Sequence, residues 1–185
     1  MKYTEEQIHL EAIETVAKLM VAAGKTAPKG SGIDSMEAMI LDGADKDALA
    51  AEMRRLGTLN EQEFFIRDAG NLEACPMIVL FGAQETYRGI SHCGYCGTQN
   101  CGEAAKTGAH CAFSVGDLGI AIGSAVSVAA NHHIDNRIMY SAGKAALSLG
   151  LFSDKVFMVY GIPLSVSAKS PFFDRKPSAP TASVK

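Results

Sequence analysis

Apolar residues recur at Ile13, Val16, Ala17 and Met20, the spacing of one helical face, and Thr4 with Gln7 forms a capping-box pattern ahead of them. A first helix is therefore predicted from Glu5 to about Ala23, with Gly24 as its C-terminal stop. A loop rich in glycine and proline follows (Lys25 to Gly32), then a short apolar run from Met36 to Leu41 that reads as a strand closed by Asp42-Gly43. Leu49, Met53 and Leu56 share one face of a second helix, capped by Asp45 and stopped at Gly57. Asn60 is the candidate cap of a third helix, through Phe64, Phe65 and Asp68. Met77 to Phe81 (MIVLF) is apolar without alternation, as expected of a strand covered on both faces.

The pattern then lapses. Gly89 to Cys111 is punctuated by glycines and reads as a long functional loop over most of its length. Ala112 to Ala130 is apolar except for Asp117; it predicts a helix buried on all sides in the domain centre rather than a membrane span. Ser114 and Asp117 offer its cap, and Gly119, Gly123 and Ser127 put three small residues on one side of it. Asp135-Asn136 is read as opening a further helix that ends at Gly150, and Val156 to Tyr160 as a third strand. From Ile162 onward the chain carries four of its six prolines and no helical period, which predicts an extended arm. Together these elements predict one α+β domain over residues 1–175, a small central sheet flanked by helices, with residues 176–185 a disordered tail.

The chemistry lies where the pattern lapses. Cys93, Cys96, Cys101 and Cys111 form C-x2-C-x4-C-x9-C, four of the chain's five cysteines within 19 residues. Gly94, Gly97 and Gly102 each follow a cysteine, where positive φ angles would let a short loop wrap a compact metal group and aim N–H groups at its sulfurs. Cys111 sits just ahead of the apolar helix, whose N-terminal N–H groups would face the same negative group. Structural zinc sites pair their cysteines in two short motifs separated by a spacer, whereas three crowd together here, so the spacing favours iron–sulfur; zinc and thiol chemistry are the alternatives. His92 and His110, each preceding a cysteine, could ligate or could donate hydrogen bonds nearby. Tyr95, between two cysteines, could shield a bound group from water or could simply face solvent. Cys75, before Pro76 at a strand head, reads as a buried core thiol.

Charge narrows the function classes. With 17 basic against 20 acidic residues the net charge is −3, and the basic residues are scattered rather than gathered in a stripe, which argues against nucleic-acid binding. The opening MKYTEEQIHLEAIE is acidic where a secretory signal needs a basic start, so the thiols are expected in a reducing cytoplasm. Outside the cysteines, Asp117, Asp135 and Arg137 are the polar residues that could serve a site; helix capping and a surface ion pair account for them equally well. His132-His133, being adjacent, do not share a helical face for one metal.

The stretches CGYCGTQNCGEAAKTGAHCAFSVGDLGIAIGSAV, IDNRIMYSAGKAAL, GIPLSVSAKSPFFDR and TAPKGSGID closely resemble the uncharacterised prokaryotic proteins that contain a ferredoxin domain, over nearly the whole chain. The resemblance implies a 4Fe–4S cluster on Cys93, Cys96, Cys101 and Cys111 and an electron-transfer role with an unspecified redox partner. More loosely, AAGKTAPKGSG and VFMVYGIPLS resemble the loop after helix one and the late strand with its Gly-x-Pro turn in nitroreductases. That likeness implies a nitroreductase-like α+β fold, a homodimer with FMN at its interface, and a C-terminal arm reaching across the partner. It makes Lys25 and Lys29 the candidate contacts for the flavin phosphate, with Arg137 and Lys169 as further ones. The paired arginines that hold this phosphate in nitroreductases have no match near the start of the chain. Three functions follow: a cluster-bearing redox protein, an FMN-dependent reductase fed by the cluster, or a zinc-stabilised noncatalytic interaction protein.

Overall fold

A computed structural model describes residues 1–173; the predicted tail lies outside the described residues. Helix α1 (Glu5–Thr26) starts at the Thr4–Gln7 capping box and is followed by a turn of 3-10 helix at Gly30–Gly32. Then come β1 (Met36–Asp42), α2 (Gly43–Leu59), α3 (Glu63–Glu73), β2 (Met77–Gln84), α4 (Cys101–Thr107) and α5 (Ala112–Asn131). A two-residue β3 (Asp135–Asn136), α6 (Tyr140–Ser148) and β4 (Val156–Ser165) complete the order. The four strands form one sheet in the order β1-β2-β4-β3, each neighbouring pair antiparallel. This is an α+β fold.

β2 explains why the sheet needs helices on both faces. Ile78 and Leu80 point into a cluster with Leu49, Met53, Leu72 and Met139 from α2, α3 and the α6 entry. Met77, Val79, Phe81 and Ala83 point the opposite way, against Val16 and Met20 of α1 and Leu118 and Ile122 of α5. An uninterrupted apolar run is what a strand buried on both faces requires. Burying one such large side chain contributes about 1.5–3 kcal/mol, so this strand anchors both cores. At Gly143 the backbone of α6 crosses β4 so closely that a Cβ would stand 1.7 Å from the Val159 carbonyl oxygen, and only glycine fits.

Several predicted boundaries shift for packing reasons. Gly24 does not stop α1: it is buried inside it, because a Cβ there would meet the Phe81 ring at 2.4 Å. Gly57 likewise sits within α2 against Phe65 and Ile66, and Asn60 closes α2 instead of capping α3. The α2 N-cap position is Asp42, not Asp45. Asp135-Asn136 pairs with β4 instead of opening a helix, while the predicted stop at Gly150 holds, with φ +66° directly after the α6 cap. Ile162 to Ser165 is not an arm but the inner half of β4, with Gly161 and Pro163 in the strand where a Gly-x-Pro turn was expected. Beyond it the chain bends back, and Phe172 joins the α2–α3–α6 core.

Helix α5 is less enclosed than its composition predicts. Leu118, Ala121, Ile122, Ala125 and Ala129 are buried, but Val115, Gly116, Gly119, Ile120, Gly123 and Ser127 face outward. By length and hydropathy (mean 1.6) it is the one helix among the described residues able to cross a membrane. It packs along α1 and carries a buried ion pair at Asp117.

Candidate functional site

The strand β2 runs out at Gln84, and the next four residues clamp the cysteine segment to the fold. Glu85 takes the Cys111 N–H on Oε1 (3.0 Å) and meets His110 Nδ1 with Oε2 (2.5 Å). The Tyr87 hydroxyl donates to the Ala109 carbonyl at 3.1 Å, and the Thr86 carbonyl accepts from the Ser114 hydroxyl at 3.1 Å. Arg88 reaches Asp117 in α5, Nη2 to Oδ2 at 2.5 Å, with both side chains almost fully buried. Ser114 and Asp117 are thus tertiary clamps, not the cap of α5; the N-cap position is Cys111 itself, without a side-chain hydrogen bond. The His110 ring also stacks on Phe157, centroids 4.1 Å apart.

Within the segment, local chemistry sets the curvature. His92, Gly94 and Gly97 adopt positive φ, turning the chain sharply at the first two cysteines. Gly102 does not need this freedom, because Cys101 opens the short helix α4, capped by Asn100, whose side chain accepts from Glu103 N–H at 3.0 Å, while the Glu103 carboxylate accepts from Gln99 N–H at 2.6 Å. The predicted loop therefore contains one helical turn pair that its glycines and threonine obscured.

The result is that Cys93, Cys96, Cys101 and Cys111 all line one small cavity of about 10 Å³. Tyr87, Arg88, Ile90, Tyr95 and Phe113 complete its wall. Tyr95 is 77% exposed, which matches the solvent-facing alternative to a lid, and its ring stacks on Phe113 with centroids 6.0 Å apart. The Cys96 thiol is held below the usual thiol value chiefly by a hydrogen bond with the Thr98 hydroxyl (3.2 Å), which favours the thiolate that metals bind. Burial pushes the Tyr87 phenol up, and Glu85 and the thiols of Cys111, Cys96 and Cys101 add to the rise.

Among the described residues no three His, Cys, Asp or Glu side chains stand close enough together to hold one metal ion. Tetrahedral zinc draws its thiolates to about 2.3 Å from a single point. The four cysteines on one cavity wall supply the donor type that both zinc and iron–sulfur groups use. Neither His92 nor His110 lines this cavity, and His110 is engaged by Glu85.

The remaining candidates lie elsewhere. Cys75 is 2% exposed, donates to the Asn71 carbonyl at 3.2 Å and is pushed up to about 12 by burial, as a core thiol should be. Lys25 pairs with Asp34, and the Lys29 ammonium donates to the carbonyls of Gly24, Lys25 and Ala27 at 2.8–3.0 Å, bracing the end of α1. Burial and the charge of Lys25 lower its proton affinity. As placed, both lysines are engaged within the protein, so they do not fit a flavin phosphate without changing partners. Arg137 lies 3.8 Å from Asp68 and over the Phe173 ring; Lys169 lies in the bend after β4. Glu85, Tyr87 and Arg88 carried no motif in the sequence, since each finds its partner more than 20 residues away.

Comparison with known proteins adds three findings. Residues 107–175 match the family described as "Uncharacterized protein containing a ferredoxin domain (DUF2148)", a span that includes Cys111 of the four cysteines. An uncharacterized protein of Archaeoglobus fulgidus is 38% identical over 185 residues, covering 96% of this chain and 99% of that one. Among solved structures, the FMN-dependent nitroreductase NfnB of Mycobacterium smegmatis, in complex with NADPH, superposes with a TM-score of 0.57 at 14% identity, over 90% of this chain and 84% of that one. A nitroreductase with bound FMN from Desulfitobacterium hafniense gives 0.56 at 14%, over 98% and 85%. NfrA1 of B. megaterium gives 0.54 at 14%; this chain covers only 64% of its length, with 93% of its own. At such identity these likenesses establish the fold, which is nitroreductase-like.

Proposed function

The chain belongs to the family of uncharacterized proteins containing a ferredoxin domain, and from that premise we propose that it is a redox protein holding a 4Fe–4S cluster on Cys93, Cys96, Cys101 and Cys111. The observation that carries this reading is the presence of all four cysteines on one cavity wall. Such a cluster supplies one-electron transfer. The chain's own part is to hold four thiolates at fixed separations. The Glu85 carboxylate fixes the backbone of Cys111, and Asn100 with Glu103 fixes the start of α4 at Cys101.

A homodimer belongs to the same reading. α5 leaves Val115, Ile120 and three glycines open on one side, a face on which a second copy could pack. Light scattering should then return twice the 19.5 kDa chain mass; a 19.5 kDa species alone would remove this part.

The second reading, an FMN-dependent reductase fed by the cluster, draws on the nitroreductase-like fold and on the flavin named for two of the neighbours. It requires Lys25 and Lys29 to leave Asp34 and the α1 carbonyls. One anaerobic absorption spectrum with electron paramagnetic resonance separates the possibilities. A broad brown absorbance and a reduced-state spin signal are expected; a structured flavin spectrum supports the second reading, and a colourless zinc protein would leave a noncatalytic interaction module.

A further inference from the structure

Among the described residues one buried polar atom is out of balance. Buried side-chain nitrogens and oxygens in folded proteins find partners, and an exception calls for a physical reason such as a bound group. Among the described residues the single exception is Nε of Arg88. The other two nitrogens each have a partner: Nη1 donates to the Thr86 carbonyl (3.4 Å), and Nη2 to the Ser35 hydroxyl (3.3 Å) and Asp117 (2.5 Å). Asp117 in turn takes the Gly30 N–H on its other oxygen at 2.9 Å. A Cβ at Gly30 would stand 3.2 Å from Arg88 Nε and 3.2 Å from the Phe113 ring, so any larger residue there would crowd the donor. The side chain is 1% exposed, yet the residue forms part of the wall of the cysteine cavity.

We infer that Arg88 is a positioning residue for the group held by the four thiols, its free Nε–H donating to a sulfur of that group and favouring the reduced state. The inference rests on the cluster reading above. Its physical basis is charge. Reduction adds an electron to a sulfur-rich anion, and a hydrogen bond from a buried cationic donor stabilises the more negative state more than the less negative one. Asp117, Ser35 and Thr86 hold the guanidinium plane, so the donor is preorganised and no rearrangement accompanies electron arrival. The four-residue clamp after β2 would thus set the potential of the group whose loop it anchors.

The test has two arms on anaerobically reconstituted full-length protein. In dithionite titrations, Arg88→Lys keeps a cation for Asp117 but removes Nε. It should lower the reduced-to-oxidised ratio at a given potential about tenfold, a shift of roughly 59 mV for a one-electron couple. A potential equal to wild type would overturn the inference, since charge alone would then suffice. The second arm needs no variant and stands even if Arg88→Lys fails to fold: wild-type protein grown on arginine labelled with 15N at Nε should show one coupled nitrogen in the spin-echo spectrum of the reduced state. Absence of coupling from a sample containing iron and sulfide would overturn the Arg88 inference alone. Absence of iron and sulfide from the wild type would overturn it together with the cluster reading.

Discussion

Cys75 and the four cysteines of the 93–111 segment are one residue type in opposite surroundings. Cys75 stands among Leu49, Leu72 and Ile78 in an apolar core, with its thiol proton secured by burial. The other four line a cavity near the surface, on a segment whose shape comes from positive-φ residues and from polar clamps to Glu85, Thr86, Tyr87 and Arg88. Hydrophobic burial makes the first site inert. Directed hydrogen bonds make the second a place where thiolates can be held at set distances without collapsing into a core.

Substitutions that exchange one environment's logic for the other's should fail in opposite ways. The largest effect is expected from Cys96→Ser, which should abolish stoichiometric iron and sulfide incorporation while far-ultraviolet circular dichroism stays that of the folded chain. Cys75→Ala should do the reverse, retaining iron and losing about 1–2 kcal/mol in denaturant unfolding from the vacated volume. Next comes Asp117→Ala, which strands the buried Arg88 charge and should cost about 3–5 kcal/mol of stability, measured by urea unfolding of the metal-free protein. Glu85→Gln keeps an acceptor for the Cys111 N–H but gives up its charge, and is expected to cost about 1 kcal/mol and to speed iron loss to a chelator.

The smallest effect is a pH dependence. Cys75 is raised in the folded state from an ordinary value of 9.0 to about 12, so the folded protein holds its proton where the unfolded chain releases it. Its contribution to stability is full below pH 9 and declines from there toward pH 12. Alkylation of metal-free protein by iodoacetamide should therefore modify Cys96, held low by Thr98, well before Cys75, which should react only on unfolding. Equal rates at Cys75 and Cys96 in folded protein would erase the distinction between the two regions.

How much of this was legible in the sequence follows from the range of the forces involved. The capping box at Thr4–Gln7 and the two-sided burial of Met77 to Phe81 are local signals, and both hold. Gly24 and Gly57 read as helix stops because the sequence does not show that Phe81 and Phe65 will press against them. Asp135-Asn136 and Ile162 to Ser165 carry no local sign of a strand, because a two-residue strand has no period and a proline in a strand mimics an arm. The cysteine spacing singled out the four residues that share the cavity. Glu85, Tyr87 and Arg88 stayed hidden, since a clamp is recognisable only with its partner in place.

The most direct test is an iron and acid-labile sulfide determination on protein purified without oxygen. About four irons and four sulfides per chain are predicted, as a cubane on four thiolates requires. Stoichiometric zinc, or neither metal nor sulfide in a well-folded protein, would contradict the account.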